Sequence, residues 1–159
     1  METKYKIQAL EKASKLISSW KVEGQKIVFS NGCFDILHIG HVDYLEKARN
    51  KGDKLVIGLN SDSSVQHLKG SNRPINNEMT RARILAALSF TDLVILFNED
   101  TPLELIKIIK PDILVKGNDY KIQNIIGAKF VMENGGKVIT LDIVEGVSTT
   151  DIINKIKNS

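Results

Sequence analysis

The sequence predicts an α/β fold, a doubly wound parallel sheet of five strands with helices on both faces. Three observations carry that prediction. Short apolar runs of strand length alternate with stretches of helical spacing along most of the chain. The runs are rich in Val, Ile and Leu, as strands covered on both faces require, and turn or capping residues mark the joins. The chain has 159 residues, 42% of them hydrophobic, which suffices for one core of ordinary size.

The elements follow in order. Ile7, Leu10, Ser14, Ile17 and Trp20 recur at helical spacing with Leu16 alongside, predicting an amphipathic helix that ends near Gly24. Residues 1–24 are therefore expected to form a packing helix and residues 25–159 the working domain. Residues 27–30 are a buried strand that reaches a turn at Asn31-Gly32. A helix over 41–50 stops at Gly52, and the strand Lys54–Asn60 completes a first crossover unit. The pattern continues with a helix over 77–89, the strand Leu93–Phe97, a helix over 102–110 and a strand over 113–115. Pro102 suits the first helical turn with Thr101 or Asp100 as its cap, and Pro111 ends that helix. A helix over 122–133 stops at Asn134-Gly135-Gly136, and Lys137–Leu141 is the fifth strand. Ser148-Thr149-Thr150 before Ile152, Ile153 and Ile156 reads as a capped helix start. Strands alternating with helices in this way make a Rossmann-like sheet, and the polar stretch 69–78 is its candidate substrate loop.

Composition excludes several function classes. Lys and Arg number 22 against 19 Asp and Glu, and the net charge of +3 is too small and too evenly spread for nucleic acid or an anionic membrane surface. Cys33 is the one cysteine, so neither an internal disulfide nor a cysteine-based zinc site can form. No apolar run approaches the ~20 residues that span a bilayer, and a cytoplasmic protein is expected.

In an open parallel sheet ligands bind beyond the carboxyl ends of the strands, so the residues that follow each strand matter most. After the first strand come two histidines, His38 and His41, separated by Ile39 and Gly40, at the start of a helix. The unpaired N–H groups of a helix start favour phosphate, histidines add donors, and Gly40 allows close approach to the backbone. Metal binding through His38, His41 and Asp35 is the competing reading, although zinc usually takes three or four fixed ligands and no further Cys or His lies nearby.

Residues 32–41, Gly-Cys-Phe-Asp-Ile-Leu-His-Ile-Gly-His, resemble the signature of the nucleotidyltransferases related to class I aminoacyl-tRNA synthetases. The likeness continues through Leu68-Lys69-Gly70, Arg73-Pro74, residues 115–120 and Gly146-Val147-Ser148-Thr149-Thr150. Together the motifs look like the branch that adenylylates D-glycero-beta-D-manno-heptose 1-phosphate for the lipopolysaccharide inner core. The resemblance implies in-line attack of the sugar phosphate on the α-phosphorus of ATP, with His38, His41 and Lys69 as the catalytic residues. It further implies that Gly32, Cys33, Phe34, Asp35, Gly40, Arg81, Lys116, Gly117, Asp119, Ser148, Thr149 and Thr150 bind the nucleotide. Mg²⁺ would come with ATP and without a protein cage. A homodimer is implied, as is a separate heptose kinase and phosphatase upstream, since relatives often carry a fused sugar kinase for which this chain has no room.

Two features depart from the pattern. Cys33 stands where many relatives have Thr or Ser, and its thiol is a weaker donor. Met79 replaces a glutamate that precedes the arginine in several relatives, which leaves the partner of Arg81 open. A cytidylyltransferase acting on glycerol 3-phosphate or a related polyol phosphate is the nearest alternative. Such enzymes usually have Arg before the Ser-Thr-Thr run and a Trp-containing acidic stretch where this chain has Ile143-Val144-Glu145 and 116–120. Pantetheine-phosphate and nicotinate-nucleotide adenylyltransferases share only the first motif well. A non-catalytic nucleotide-binding regulatory module would not need both histidines and Lys69.

Overall fold

A computed structural model describes residues 2–144 and 146–159; Met1 and Glu145, the latter part of the 143–145 motif, lie outside the described residues. The expected parallel sheet is present. Its strands are β1 (Ile27–Gly32), β2 (Lys54–Asn60), β3 (Leu93–Phe97), β4 (Ile113–Gly117) and β5 (Lys137–Leu141), in the spatial order β3-β2-β1-β4-β5 with every pair parallel.

Alternation along the strands builds two cores. Phe29, Val56, Ile95 and Leu114 face one way and pack on Ala13 and Ile17 of α1 (Leu10–Val22), Ile106 of α5 (Leu103–Ile109) and Val131 of α6 (Ala128–Glu133). Val28, Leu55, Ile57 and Val115 face the other way, against Leu45 and Ala48 of α2 (Ile39–Arg49) and Ala82 and Leu85 of α4 (Glu78–Ala87). Among the described residues no helix is long and apolar enough to cross a membrane.

Where the strand order reverses, the sheet opens. β1 pairs with β2 over its whole length to Gly32↔Leu59, but with β4 only at Val28↔Ile113 and Phe29↔Leu114. Beyond Phe29 the diverging ends are joined by side chains. The buried Tyr44 hydroxyl donates to Val115 O at 2.9 Å and shares a 2.7 Å hydrogen bond with Ser30 Oγ, while Lys116 Nζ donates to Asn31 O at 3.0 Å. Tyr44→Phe leaves those buried groups without a partner and is expected to cost about 1–3 kcal/mol. Chemical denaturation measures it, and a loss under ~0.5 kcal/mol would show that the bridge contributes nothing.

Several boundaries differ from the sequence-based expectation, each for a physical reason. Ile7 is not helical; it forms a parallel bridge with Val94, so the chain meets the sheet edge before α1 begins. Asn31 and Gly32 form no turn, because Gly58 and Leu59 of β2 continue the ladder opposite them. An additional helix, α3 (Asp62–Lys69), occupies a polar stretch whose buried face is only Ser64 and Val65. Pro102 itself stands at the N-cap of α5, with no side-chain cap from Thr101 or Asp100. The single helix expected over 122–133 is a short 3-10 turn and α6, divided at Gly127, whose φ of +85° is open to glycine. The final helix, α7 (Thr149–Lys157), is capped by Ser148 as expected.

Candidate active site

The strand ends, the starts of α2 and α7 and the end of α3 surround a cleft of about 570 Å³. His38 is the N-cap of α2, with extended backbone (φ −138°) that aims its ring toward the next turn. Its imidazole stacks on that of His41 with centroids 3.8 Å apart, and Phe34 meets His41 edge-on at 5.2 Å. A Cβ on Gly40 would lie 3.1 Å from the His38 ring, so glycine permits this stacking. Each histidine has a buried Nδ1 with no hydrogen-bond partner. Such atoms are costly unless a ligand completes them.

Electrostatics keep the pair neutral at pH 7. Burial, then the neighbouring His38 and Lys69, push the His41 pKa down to about 4, and burial also lowers that of His38. The unfolded chain therefore binds a proton at His41 between about pH 6.5 and 4 that the folded chain does not, so stability falls as pH drops through that window. His41→Gln is expected to flatten the slope of unfolding free energy against pH between those values. An unchanged slope would contradict the assignment.

Lys69 lines the same cleft, but not from a loop: it is the last residue of α3, with Gly70 (φ +95°) ending the helix behind it. Lys116, Gly117 and Asp119 line the opposite side beside the opening between β1 and β4. Burial brings the Lys116 pKa down to about 8. A Cβ on Gly117 would come within 2.5 Å of Asp119 Oδ1, so Asp119 closes over this glycine. Ser148, Thr149 and Thr150 line the cleft where α7 begins, and Thr149 Oγ1 donates to Ile36 O at 3.4 Å, tying the two helix starts together. Gly32 and Cys33 complete the floor, and burial raises the thiol pKa of Cys33.

A family model described as cytidylyltransferase-like matches residues 29–155, the span that contributes nearly all of these groups. The chain belongs to that family. It is 59% identical over 134 residues to the bifunctional protein HldE of Campylobacter fetus, covering 84% of this chain and 28% of that protein. To the protein of the same name from Methylobacillus flagellatus it is 54% identical over 140 residues, 88% of this chain and 29% of the relative. The chain thus spans less than a third of these relatives' length. A crystal structure of the lipopolysaccharide core biosynthesis protein from Thermoplasma volcanium superposes with a TM-score of 0.61 at 30% identity, over 76% of this chain and 98% of that one. The pantoate-beta-alanine ligase of Francisella tularensis, solved with beta-gamma ATP and beta-alanine, shares the fold at 18% identity and a TM-score of 0.63, over 96% of this chain and 78% of that one.

Against this family frame, three sequence-based assignments change. Arg81 does not reach the cleft: its side chain is 0% exposed, and its donors go to Asn76 O, Cys33 O, Asn60 O and the Asp62 carboxylate. Its partner is Asp62 on α3, while Glu78 takes the Asp62 backbone N–H instead. Asp35 borders the cleft, yet its carboxylate accepts from Arg73 Nε at 2.6 Å and from the N–H groups of Ile75 and Asn76, which leaves it unsuited to a nucleotide or a metal. Ser148 Oγ takes the Asp151 N–H and donates to the Asp151 carboxylate, so its hydroxyl is committed to the cap.

The cleft also includes residues to which sequence reasoning gave no part in the site, among them Asn31, Tyr44, Asn60 and Asp100. Asn31 carries a buried Oδ1 without a partner. Its one sequence signal was an amide at the carboxyl end of a strand, directly before the glycine of the motif.

Proposed function

We propose that this chain transfers the adenylyl group of ATP to D-glycero-beta-D-manno-heptose 1-phosphate, giving ADP-heptose and pyrophosphate for the lipopolysaccharide inner core. The observation that carries the reading is the convergence of two helix starts on one cleft, with a stacked, neutral histidine pair at one and hydroxyls at the other. Helix starts bring unpaired N–H groups and positive partial charge, which suit a triphosphate. The HldE relatives and the lipopolysaccharide core biosynthesis protein support the choice of acceptor.

A sugar-phosphate oxygen attacks the α-phosphorus; the bond from that phosphorus to the bridging oxygen breaks, and pyrophosphate leaves with the electron pair. Chemistry of this kind depends on positioning and on charge stabilisation. His38 and His41 donate hydrogen bonds to the phosphates and stabilise the charge growing on the bridging oxygen. Lys69, from the end of α3, holds the α-phosphate and the incoming phosphate as a point charge. Thr149, Thr150 and the backbone of α7 bind the outer phosphates, and Lys116, Gly117 and Asp119 face the nucleoside. Among the described residues no three His, Cys, Asp or Glu side chains gather to hold a metal ion. In this reading Mg²⁺ comes with ATP, carried on the triphosphate, where it keeps several waters. A homodimer, and a kinase and phosphatase that supply the acceptor, belong to the same reading.

The test is a matrix of ATP and CTP against heptose 1-phosphate and glycerol 3-phosphate, read as pyrophosphate release. ATP with heptose 1-phosphate is expected to be fastest. CTP exceeding ATP with every acceptor would move the chain to the polyol cytidylyltransferases, and nucleotide binding without pyrophosphate from any pair would make it a regulatory module.

A further inference from the structure

A buried guanidinium that does not itself line the cleft holds together the segments that carry the histidine pair and Lys69. Arg81 Nη1 donates to Cys33 O at 2.7 Å and to Asn60 O at 2.8 Å, Nε donates to Asn76 O at 3.0 Å, and Nη2 pairs with Asp62 Oδ1 at 2.7 Å. Asn60 ends β2 and Asn76 precedes α4, so these bonds fasten both ends of the excursion that contains α3 and Lys69. Cys33 O belongs to the turn that leads through Phe34 (φ +43°) to His38. Asp35, in that same turn, grips the returning segment of the excursion at Arg73, Ile75 and Asn76.

We propose that Arg81 is a positioning residue whose planar fork sets the distance between Lys69 and the histidine pair. The inference rests on the functional reading above for its kinetic consequence, though not for its geometry. Three backbone carbonyls from three segments meet one rigid group, and a lysine at position 81 keeps the charge but can satisfy only part of that set. A guanidinium with four of its five N–H donors engaged and no exposed surface is out of reach of substrate. Its influence must pass through the segments it joins, and a shift of about 1 Å in a positioned group is enough to cost ~100-fold in rate.

The experiment is a double-mutant cycle between Arg81→Lys and Lys69→Ala, with His41 titrated by NMR in each nucleotide-free protein. Arg81→Lys is expected to lower kcat by about 10–100-fold while the KM for ATP changes less than ~3-fold. In the Lys69→Ala background the same change is expected to cost under ~2-fold, because the group it positions is gone. Lys69 contributes to the low pKa of His41, so that pKa is expected to rise in Lys69→Ala and to shift in Arg81→Lys, where Lys69 is displaced. Asp62→Asn, which spares the three carbonyl bonds, supplies a milder variant with the same direction should Arg81→Lys not fold. An equal loss with and without Lys69, or a His41 titration unmoved in Arg81→Lys, overturns the proposal. The titration needs no turnover, so a wild-type protein that releases no pyrophosphate would count against the functional reading and leave the positioning test intact.

Discussion

Replacing His41 by alanine is expected to lower turnover by about 100- to 1,000-fold, the range seen when one preorganised donor to a developing negative charge is removed. The fold should survive, since the buried Nδ1 of His41 has no partner and its ring is held at a cost in desolvation. Loss of the ring opens space beside His38 and beside Phe34, which lies at the edge of the core on the α2 and α4 side. The check is steady-state pyrophosphate release together with thermal unfolding. A tenfold or smaller drop in kcat would contradict the role given to His41, and a collapse of stability would assign it to the scaffold. A fall in kcat with little change in the KM for ATP is the signature of a contact made mainly in the transition state.

Asp35→Ala should show the reverse pattern, a loss of stability first. Its side chain is 1% exposed and is the common acceptor for Arg73, Ile75 and Asn76. Removing it strands a guanidinium that is itself largely buried, together with two amides, and breaking such a pair costs about 3–5 kcal/mol. Burial raises the Asp35 pKa, but the Asn76 and Ile75 N–H groups and the Arg73 guanidinium outweigh it and hold the carboxyl below its ordinary value. The stabilisation is therefore present above the unfolded value of about 3.9 and is lost as pH falls through the folded pKa. Denaturation of the variant should show a lower midpoint at neutral pH and a shallower loss in acid. A midpoint equal to wild type would mean that the 73–76 segment is held by something else.

These two predictions mark the boundary between what the sequence states locally and what only packing decides. The five strands were legible because each is a run of apolar residues long enough to cross the sheet, and their parallel order follows from the helices between them. The histidine pair, Gly40 and the capped Ser-Thr-Thr run were legible because helix-start chemistry is written in neighbouring residues. Helix α3 was not, since Asp62–Lys69 buries only Ser64 and Val65 and gives no apolar stripe to read. Lys69 was accordingly expected in a loop although it ends that helix.

Arg81 and Asp35 misled for a related reason. Charged residues beside a motif suggest contact with a charged ligand, whereas their burial and pairing depend on segments far apart in the chain, Cys33 with Arg81 and Asp35 with Asn76. The divergence of β1 from β4 and the Tyr44 bridge across it are likewise matters of register, which no local pattern records. What the sequence lacked was the arrangement that converts two helix starts and one lysine into a single cleft.

The most direct measurement follows the α-phosphorus itself. Incubated with magnesium, heptose 1-phosphate and ATP labelled at the α-phosphate, the protein should move the label into a sugar nucleotide and release one unlabelled pyrophosphate for each molecule formed. Label that stays in ATP while the nucleotide binds, or that appears in AMP or ADP instead, would contradict adenylyl transfer to the sugar phosphate.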